Sequence, residues 1–266
     1  MPTKLGQNFL QDKIVLQRII DSTDLNADDF IIEIGPGKGV LTEELGKHAR
    51  KVLAIELDDN LIRPLRARFV DEKNIEIIHS DILKINLSAL TKKYKLKTSG
   101  YKIIANIPYY ITSKIIRLFL EAETPPAEMI LMVQKEVAER IVAKPGQLSI
   151  LAVSVQYYAD AEILFPVSKN SFLPVPEVDS AVIRISHIVK RGSHDIEEAA
   201  QFFRIVKAGF SAKRKTLANN LANGLHLDKT EAEEAIKKIG LQPNVRAQEL
   251  SISDWKKLVE ITEIKS

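Results

Sequence analysis

Three polar residues close three successive apolar runs: Glu56 ends KVLAIE, Asp81 follows IEIIHS, and Asn106 ends KIIAN. Open α/β sheets bind their ligands at the carboxyl ends of their strands, so a row of polar residues at strand ends has chemical weight that one such residue lacks. A carboxylate only accepts hydrogen bonds. Glu56, 21 residues past Gly35, suits the hydroxyls of a ribose, and Asp81 suits the amino group of an adenine. Upstream, EIGPGKGVLT places Gly35, Gly37 and Gly39 between an apolar run and a helical pattern, where the backbone turns tightly and comes close to a ligand. Its G-x-G-x-G spacing differs from the G-x-G-x-x-G of pyrophosphate-binding loops, which points to an uncharged portion of a cofactor. Together these residues describe a nucleoside pocket.

Asn106 opens the stretch NIPYY. In isolation it reads as an ordinary turn. Beside a nucleoside pocket, its side-chain carbonyl can accept a hydrogen bond from a substrate N–H, Pro108 stiffens the loop, and Tyr109 offers an aromatic face. Phe172 sits in a second loop, SFLPVPEVDS, which Pro174 and Pro176 keep out of regular structure. Tyr109 and Phe172 would form two walls for a flat base turned out of its stack.

The elements that hold these residues alternate. Strands are expected at DFIIEIG, KVLAIELD, IEIIHSD, YKIIANIPY and EMILMVQ, and helices at VLTEELGKHA, NLIRPLRARFV, SKIIRLFLEA and KEVAERIVA. Such alternation implies an α/β fold with a mostly parallel sheet covered on both faces. LSILAVSVQYYA fits either helix or strand, while AEILFPV and SAVIRISHI are expected to finish the sheet. Beyond VKRGSHD the pattern is helical to the end, so a small all-helical C-terminal domain is expected, with the boundary between residues 188 and 189.

The 266 residues contain no cysteine, which excludes disulfides and thiolate chemistry and makes a reducing cytoplasm the expected compartment. The five histidines show no metal-ligand spacing, so no metal is expected, and no apolar run approaches the roughly 20 residues needed to cross a bilayer. Net charge is only +3, but its distribution is uneven: RIVKAGFSAKRK carries Arg204, Lys207, Lys213, Arg214 and Lys215 with no acid. Such a run is either a solvated face or a grip on phosphates.

The stretches LGQNFL, EIGPGKGVLT, AIELD, SDIL, NIPYYIT, QKEVAERIVAKPG, FLPVPEVDS, FSAKRKTLANNL and GLQPNVRAQELS resemble the ribosomal RNA adenine N6,N6-dimethyltransferases over nearly the whole chain. More narrowly, they resemble the bacterial enzymes that dimethylate two adjacent adenosines near the 3′ end of 16S rRNA. The resemblance implies a Rossmann-like S-adenosylmethionine-dependent methyltransferase domain over residues 1–188 and a helical RNA- and ribosome-binding domain over 189–266. The cofactor site it implies comprises Asn8, Leu10, Gly35, Glu56, Asp81 and Asn106. The target-adenine site comprises Asn106, Ile107 and Tyr109, with Phe172 stacking. The basic run together with Arg246 would grip rRNA, and the expected state is a monomer on the small subunit or its precursor.

The chain departs from the family pattern in three places. Tyr110 stands where asparagine is common, the segment after Pro145-Gly146 is short, and Lys4 is the one basic residue before the first motif. Two rival readings share some of the motifs. A 23S rRNA methyltransferase of the macrolide-resistance type has the glycine loop and Asn-Ile-Pro-Tyr, but FLPVPEVDS, AKRKTL and VRAQELS resemble the small-subunit enzymes. A non-catalytic RNA-binding assembly or transcription factor on the same fold would not need Glu56, Asp81, Asn106 and Tyr109 together.

Overall fold

The computed structural model describes residues 8–189 and 196–262; Lys4 lies outside them. The chain divides into two compact units, one within Met1–Glu139 and Ala159–Lys190, the other within Arg140–Tyr158 and Arg191–Ser266.

Among its described residues the first unit carries nine strands: β1 (Phe9–Leu10), β2 (Phe30–Ile34), β3 (Lys51–Glu56), β4 (Ile75–His79), β5 (Lys102–Asn106), β6 (Glu128–Gln134), β7 (Asp160–Val167), β8 (Phe172–Leu173) and β9 (Ser180–Ser186). Seven of them form one sheet in the order β4-β3-β2-β5-β6-β9-β7, and β1 pairs with β8 in a separate two-stranded ribbon. From β4 to β6 all pairings are parallel, while β9 runs antiparallel to both β6 and β7. The parallel strands read as unbroken Ile, Val and Leu because both faces are covered: Ile31, Ile32, Val52, Leu53, Ile103 and Ile104 are wholly buried.

Helices α1 (Lys13–Asp21), α2 (Val40–His48), α3 (Asp59–Arg68), α4 (Leu87–Lys93) and α5 (Thr112–Leu120) belong to this unit, and α6 (Lys135–Ile141) leads out of it. Their starts are set by local chemistry. Asp12 caps α1, its Oδ1 accepting the Ile14 N–H at 2.9 Å, and Oδ2 accepts the Ser171 hydroxyl at 2.9 Å. That second bond ties α1 to the loop before β8 and, with the cap, holds the Asp12 carboxyl below its usual range. α1 and α2 pack on one face of the sheet, with Val15, Leu16 and Ile19 meeting Leu41, Leu45 and Ile31.

The strand order fixes where a ligand can bind. β2, β3 and β4 are laid down in one direction and β5 and β6 in the other, so the order reverses between β2 and β5. At such a switch point the connections leave on opposite sides and open a crevice at the carboxyl ends of the strands.

The second unit contains α7 (Ile150–Gln156), α8 (Ile196–Gly209), α9 (Leu217–Leu225), α10 (Lys229–Lys238) and α11 (Ile252–Ile261). Gly209 is required by contact: a Cβ there would come within 2.4 Å of the Trp255 ring, which is wholly buried. The sequence pattern placed residues 140–158 in the first domain, whereas the structure groups them with the helices. The reason is packing. α7 buries Ala152, Val153 and Val155, and Tyr157 at its end lies 4.1 Å, centroid to centroid, from the ring of Phe202 on α8.

Candidate active site

The crevice between β2 and β5 holds a cavity with about 890 Å³ of empty space, counting the solvent at its mouth. A smaller one of about 450 Å³ adjoins it, and both are lined by Gly35, Glu56 and Pro108. The first is lined further by Asn8, Leu10, Asn106, Ile107 and Tyr109, the second by Asp81, Ile82, Leu57 and Tyr110. Nearly every sequence-predicted cofactor and base residue therefore lines one or other of these two adjoining cavities.

Glu56 organises its floor. The side chain is 3% exposed, and Oε2 accepts the Gly37 N–H at 3.2 Å while Oε1 accepts those of Leu57 and Asp58 at 2.8 and 2.9 Å. One carboxylate thus holds both the glycine loop and the turn into α3, and one acceptor position, on Oε2, is left on a residue that lines both cavities. Gly37 has φ +60°, and a Cβ on it would press against the Phe9 ring at 3.0 Å. Phe9, carried by β1, is packed onto the loop, with the Lys38 ammonium 4.9 Å from its centroid. Asp81 caps the short 3-10 turn Ile82–Lys84 through Oδ1, which accepts the Leu83 N–H at 3.0 Å.

Asn106 is the last residue of β5, level with Met132 on β6, and its carboxamide has no hydrogen-bond partner among the described residues. Ile107 is anchored by its N–H, which donates to the Met132 carbonyl at 3.2 Å. Tyr109 and Tyr110 then fall in one 3-10 turn, Tyr109–Ile111, where successive side chains point about 120° apart. The Tyr109 hydroxyl lies 2.7 Å from that of Ser180, which is wholly buried at the start of β9. Desolvation raises the Tyr109 phenol above its ordinary range, against a smaller opposing effect of Ser180, so it stays neutral. Tyr110 is 63% exposed at the rim of the smaller cavity.

Phe172 is placed differently from the sequence-based expectation. Its ring is 3% exposed, packed in the apolar cluster with Val15, Leu16 and Phe165, and it does not line the cavity beside Tyr109. The β1–β8 pairing, Leu10 against Phe172, draws it inward. Phe9, Lys38, Met132 and Glu33 also line the cavity, although the sequence pattern did not single them out. Of these only Glu33 carried a usable signal, a lone acid in the otherwise apolar FIIEI.

In the second unit, Arg204 and Lys207 lie exposed on α8, and Lys213, Arg214 and Lys215 lie exposed in the loop before α9. None forms an ion pair with another described residue. Asn220, buried on α9, straps this loop by donating to the carbonyls of Gly209 and Ala212 at 2.6 and 3.0 Å. The Leu217 N–H donates to the Val245 carbonyl at 2.8 Å, which brings the exposed Arg246 beside the same loop. Among the described residues, no cluster of three acids or histidines could hold a metal, and no helix is long and apolar enough to cross a membrane.

Cavities lined by the Glu56 and Asp81 carboxylates, the unpaired Asn106 amide and the pinned Tyr109 phenol lie in a chain that has counterparts among known sequences. The profile of the ribosomal RNA adenine dimethylase family matches residues 1–263. The chain belongs to this family. As a ribosomal RNA adenine dimethylase it is an S-adenosylmethionine-dependent methyltransferase with a central α/β sheet and a helical C-terminal part. It is 43% identical over 254 residues to the ribosomal RNA small subunit methyltransferase A of Dehalococcoides mccartyi, covering 96% of this chain and 86% of that one. Identity to the protein of the same name from Clostridioides difficile is 41% over 263 residues, covering 98% and 90%. Among solved structures, a dimethyladenosine transferase from Plasmodium falciparum superposes with a TM-score of 0.77 at 25% identity, covering 94% of this chain and 95% of that one. The 23S rRNA methyltransferase ErmE superposes with a TM-score of 0.72 at 27% identity, covering 96% and 99%.

Proposed function

We propose that this dimethylase transfers two methyl groups to the N6 of each of two adjacent adenosines near the 3′ end of 16S rRNA. It acts as a monomer in the cytoplasm, on the small ribosomal subunit or its precursor during ribosome biogenesis. The observation that carries the reading is Asn106: an unpartnered carboxamide at the switch point of the sheet, between the glycine loop and a phenol fixed by Ser180. The small-subunit target is supported by identities of 43% and 41% to methyltransferases of that name, against 27% to the 23S enzyme.

The residues fit the cofactor. Glu56 has one acceptor position left, on Oε2, for the ribose hydroxyls, Asp81 lines the smaller cavity with an oxygen outside its cap bond that accepts from an adenine amino group, and Asn8, Leu10 and Gly35 line the larger one. When bound, S-adenosylmethionine supplies a methyl group made electrophilic by its sulfonium. The lone pair of an adenine N6 is delocalised into the ring, so the chain must make it available. The Asn106 side-chain carbonyl and the Ile107 backbone carbonyl accept the two N6 hydrogens, which favours a pyramidal nitrogen with its lone pair free. Both dipoles then stabilise the positive charge that grows on N6, and the strongly acidic methylated nitrogen gives its proton to solvent, so no strong base is needed. Rotation of the monomethylated amine presents the lone pair again for a second transfer. Tyr109 supplies the wall on which the base stacks, and Phe172 supports that region from within the apolar cluster. The basic loop of the second unit, with Arg246, grips phosphates and supplies the binding energy that base extrusion consumes.

Incubation with labelled S-adenosylmethionine and either under-methylated small subunits or 23S rRNA tests the reading. Dimethyladenosine at adjacent positions near the 16S 3′ end is expected, and Asn106→Ala should lower kcat by roughly a hundredfold or more. Label on 23S rRNA alone, or full activity of Asn106→Ala, refutes it.

A further inference from the structure

The charge of the chain is unevenly divided along it. Residues 82–120 carry eight Lys and Arg and no Asp or Glu, whereas the whole chain carries 38 against 35. The other residues therefore hold 30 cations against 35 acids, and the entire positive excess lies in this one segment. It runs from the turn after β4 through α4, β5 and α5. The connections through α2 and α3 step across the sheet from β2 to β4, and those through α4 and α5 step back from β4 to β6. Right-handed crossovers then put α4 and α5 on the face opposite α2 and α3. Packing agrees: residues of α1, α2 and α3 share one apolar cluster, to which no residue of α4 or α5 belongs. The Ser88 hydroxyl on α4 donates to Glu123, just past α5, at 3.3 Å, which joins the two helices into one surface.

Four of the eight cations are engaged. Lys84 faces Asp81 at 3.9 Å, Lys93 faces Glu76 at 3.7 Å, Arg117 pairs with Glu121, and Lys102 is held between Asp29 and Glu128. The other four, Lys92, Lys95, Lys97 and Lys114, are exposed and have no ion-pair partner among the described residues. Lys114 lies in the first turn of α5, directly after the Tyr109–Ile111 turn at the crevice. Lys92 lies in the last turn of α4, and Lys95 and Lys97 follow in the connection to the start of β5. The free charges thus run from the ligand end of the sheet to its opposite end, roughly 17 Å for a five-residue strand.

A face that served solubility alone would mix both signs, and like charges gathered without acids repel one another until a polyanion neutralises them. A protein partner is disfavoured by what the face lacks. Protein interfaces have an apolar core, yet among the described residues Tyr110 is the one large apolar side chain exposed between positions 82 and 120, and it lines the smaller cavity. Separate lysines without an apolar centre suit backbone phosphates. We propose that the α4–α5 face is an RNA-binding surface of the first unit, on which Lys92, Lys95, Lys97 and Lys114 hold phosphates of the rRNA whose adenosine enters the crevice. The inference rests on rRNA being the substrate. It gives the unit that carries the crevice a grip of its own, in addition to the basic loop of the second unit.

A salt titration of the full chain binding to protein-free, under-methylated 16S rRNA tests it. Lys92, Lys95, Lys97 and Lys114 changed together to glutamine should flatten the dependence of log affinity on log salt by about 3, at ~0.7–0.9 per phosphate contact. A rise from about 50 to 200 mM salt should then weaken the variant roughly fiftyfold less than the unaltered protein. Its Tm and its affinity for S-adenosylmethionine should not move, which separates lost contacts from misfolding. A control with Lys47, Arg50, Arg63 and Arg66, exposed on and beside α2 and α3, changed to glutamine loses the same charge and should keep the native slope. An unchanged slope in the first variant, or an equal fall in the control, would overturn the inference while leaving RNA binding intact. Full affinity of the first variant for protein-free rRNA with lost binding to intact small subunits would also overturn it, in favour of an acidic protein partner. Failure of the unaltered protein to bind or methylate any rRNA would remove the functional reading and the inference together.

Discussion

Replacing Glu56 by glutamine separates the two tasks of that side chain. In the native protein one oxygen accepts the Leu57 and Asp58 N–H groups and the other accepts that of Gly37. A glutamine keeps an oxygen for the close pair at 2.8 and 2.9 Å and must then turn its NH2 toward the Gly37 N–H. One charge-assisted bond is lost outright, and the other two weaken from a charged to a neutral acceptor. With about 1.5–3 kcal/mol for a hydrogen bond to a charged group and about 1 for a neutral one, the bond lost and the two weakened sum to roughly 2.5–7 kcal/mol. Scanning calorimetry without cofactor should show it as a fall in Tm of roughly 5–28 °C, at about 2–4 °C per kcal/mol. Titration with S-adenosylmethionine then reads the second task. Ribose hydroxyls meeting an amide instead of a carboxylate should raise Kd by about tenfold or more, a change worth ~1.4 kcal/mol. A variant that melts within 1 °C of the native protein, at ~1 °C precision, and binds cofactor equally well would show that Glu56 holds neither the loop nor the ribose.

Tyr109→Phe keeps the ring but leaves the buried Ser180 hydroxyl unpaired, which should cost about 1–2 kcal/mol of stability with a modest rise in KM for RNA. Tyr109→Ala, which removes the face as well, should raise that KM by roughly tenfold or more, and equal KM values for the two variants would refute the stacking role. Changing Lys213, Arg214 and Lys215 together to glutamine should leave cofactor affinity unaltered and flatten the dependence of log affinity on log salt by about 2, taking ~0.7 per phosphate contact. An unchanged slope would mean that this loop does not touch the RNA backbone.

How much of the molecule is legible in its sequence depends on how local the cause is. The glycine loop, the polar strand ends and the parallel strands follow from residue types at short spacing, and in the structure Gly35, Glu56, Asn106 and Tyr109 line one cavity. The ribbon of β1 and β8 was not legible, because two-residue strands have no period. Without that ribbon Phe172 is misplaced, since pairing with Leu10 is what turns its ring inward. LSILAVSVQYYA stayed ambiguous because apolar residues fill most of its positions. Ser149 decides for helix, its Oγ accepting the Ala152 N–H at 3.3 Å. Glu33 was visible but silent: its raised pKa comes first from burial in the sheet and then from the charge of Glu56, and both are set by tertiary packing.

The excursion of residues 140–158 into the helical unit has a consequence for how the chain is made and divided. No single cut yields two whole units, because the sheet resumes with β7 and β9 after α7 has been laid down. On the ribosome, Tyr157 emerges before all three remaining strands and well before Phe202, the ring it stacks on. Chain elongation at about 5–20 residues per second is slow beside helix formation, so the apolar side of α7 waits for seconds without its partner. The growing chain thus passes through a stage in which that apolar side is uncovered, and a chain stopped near residue 190 would stay in it.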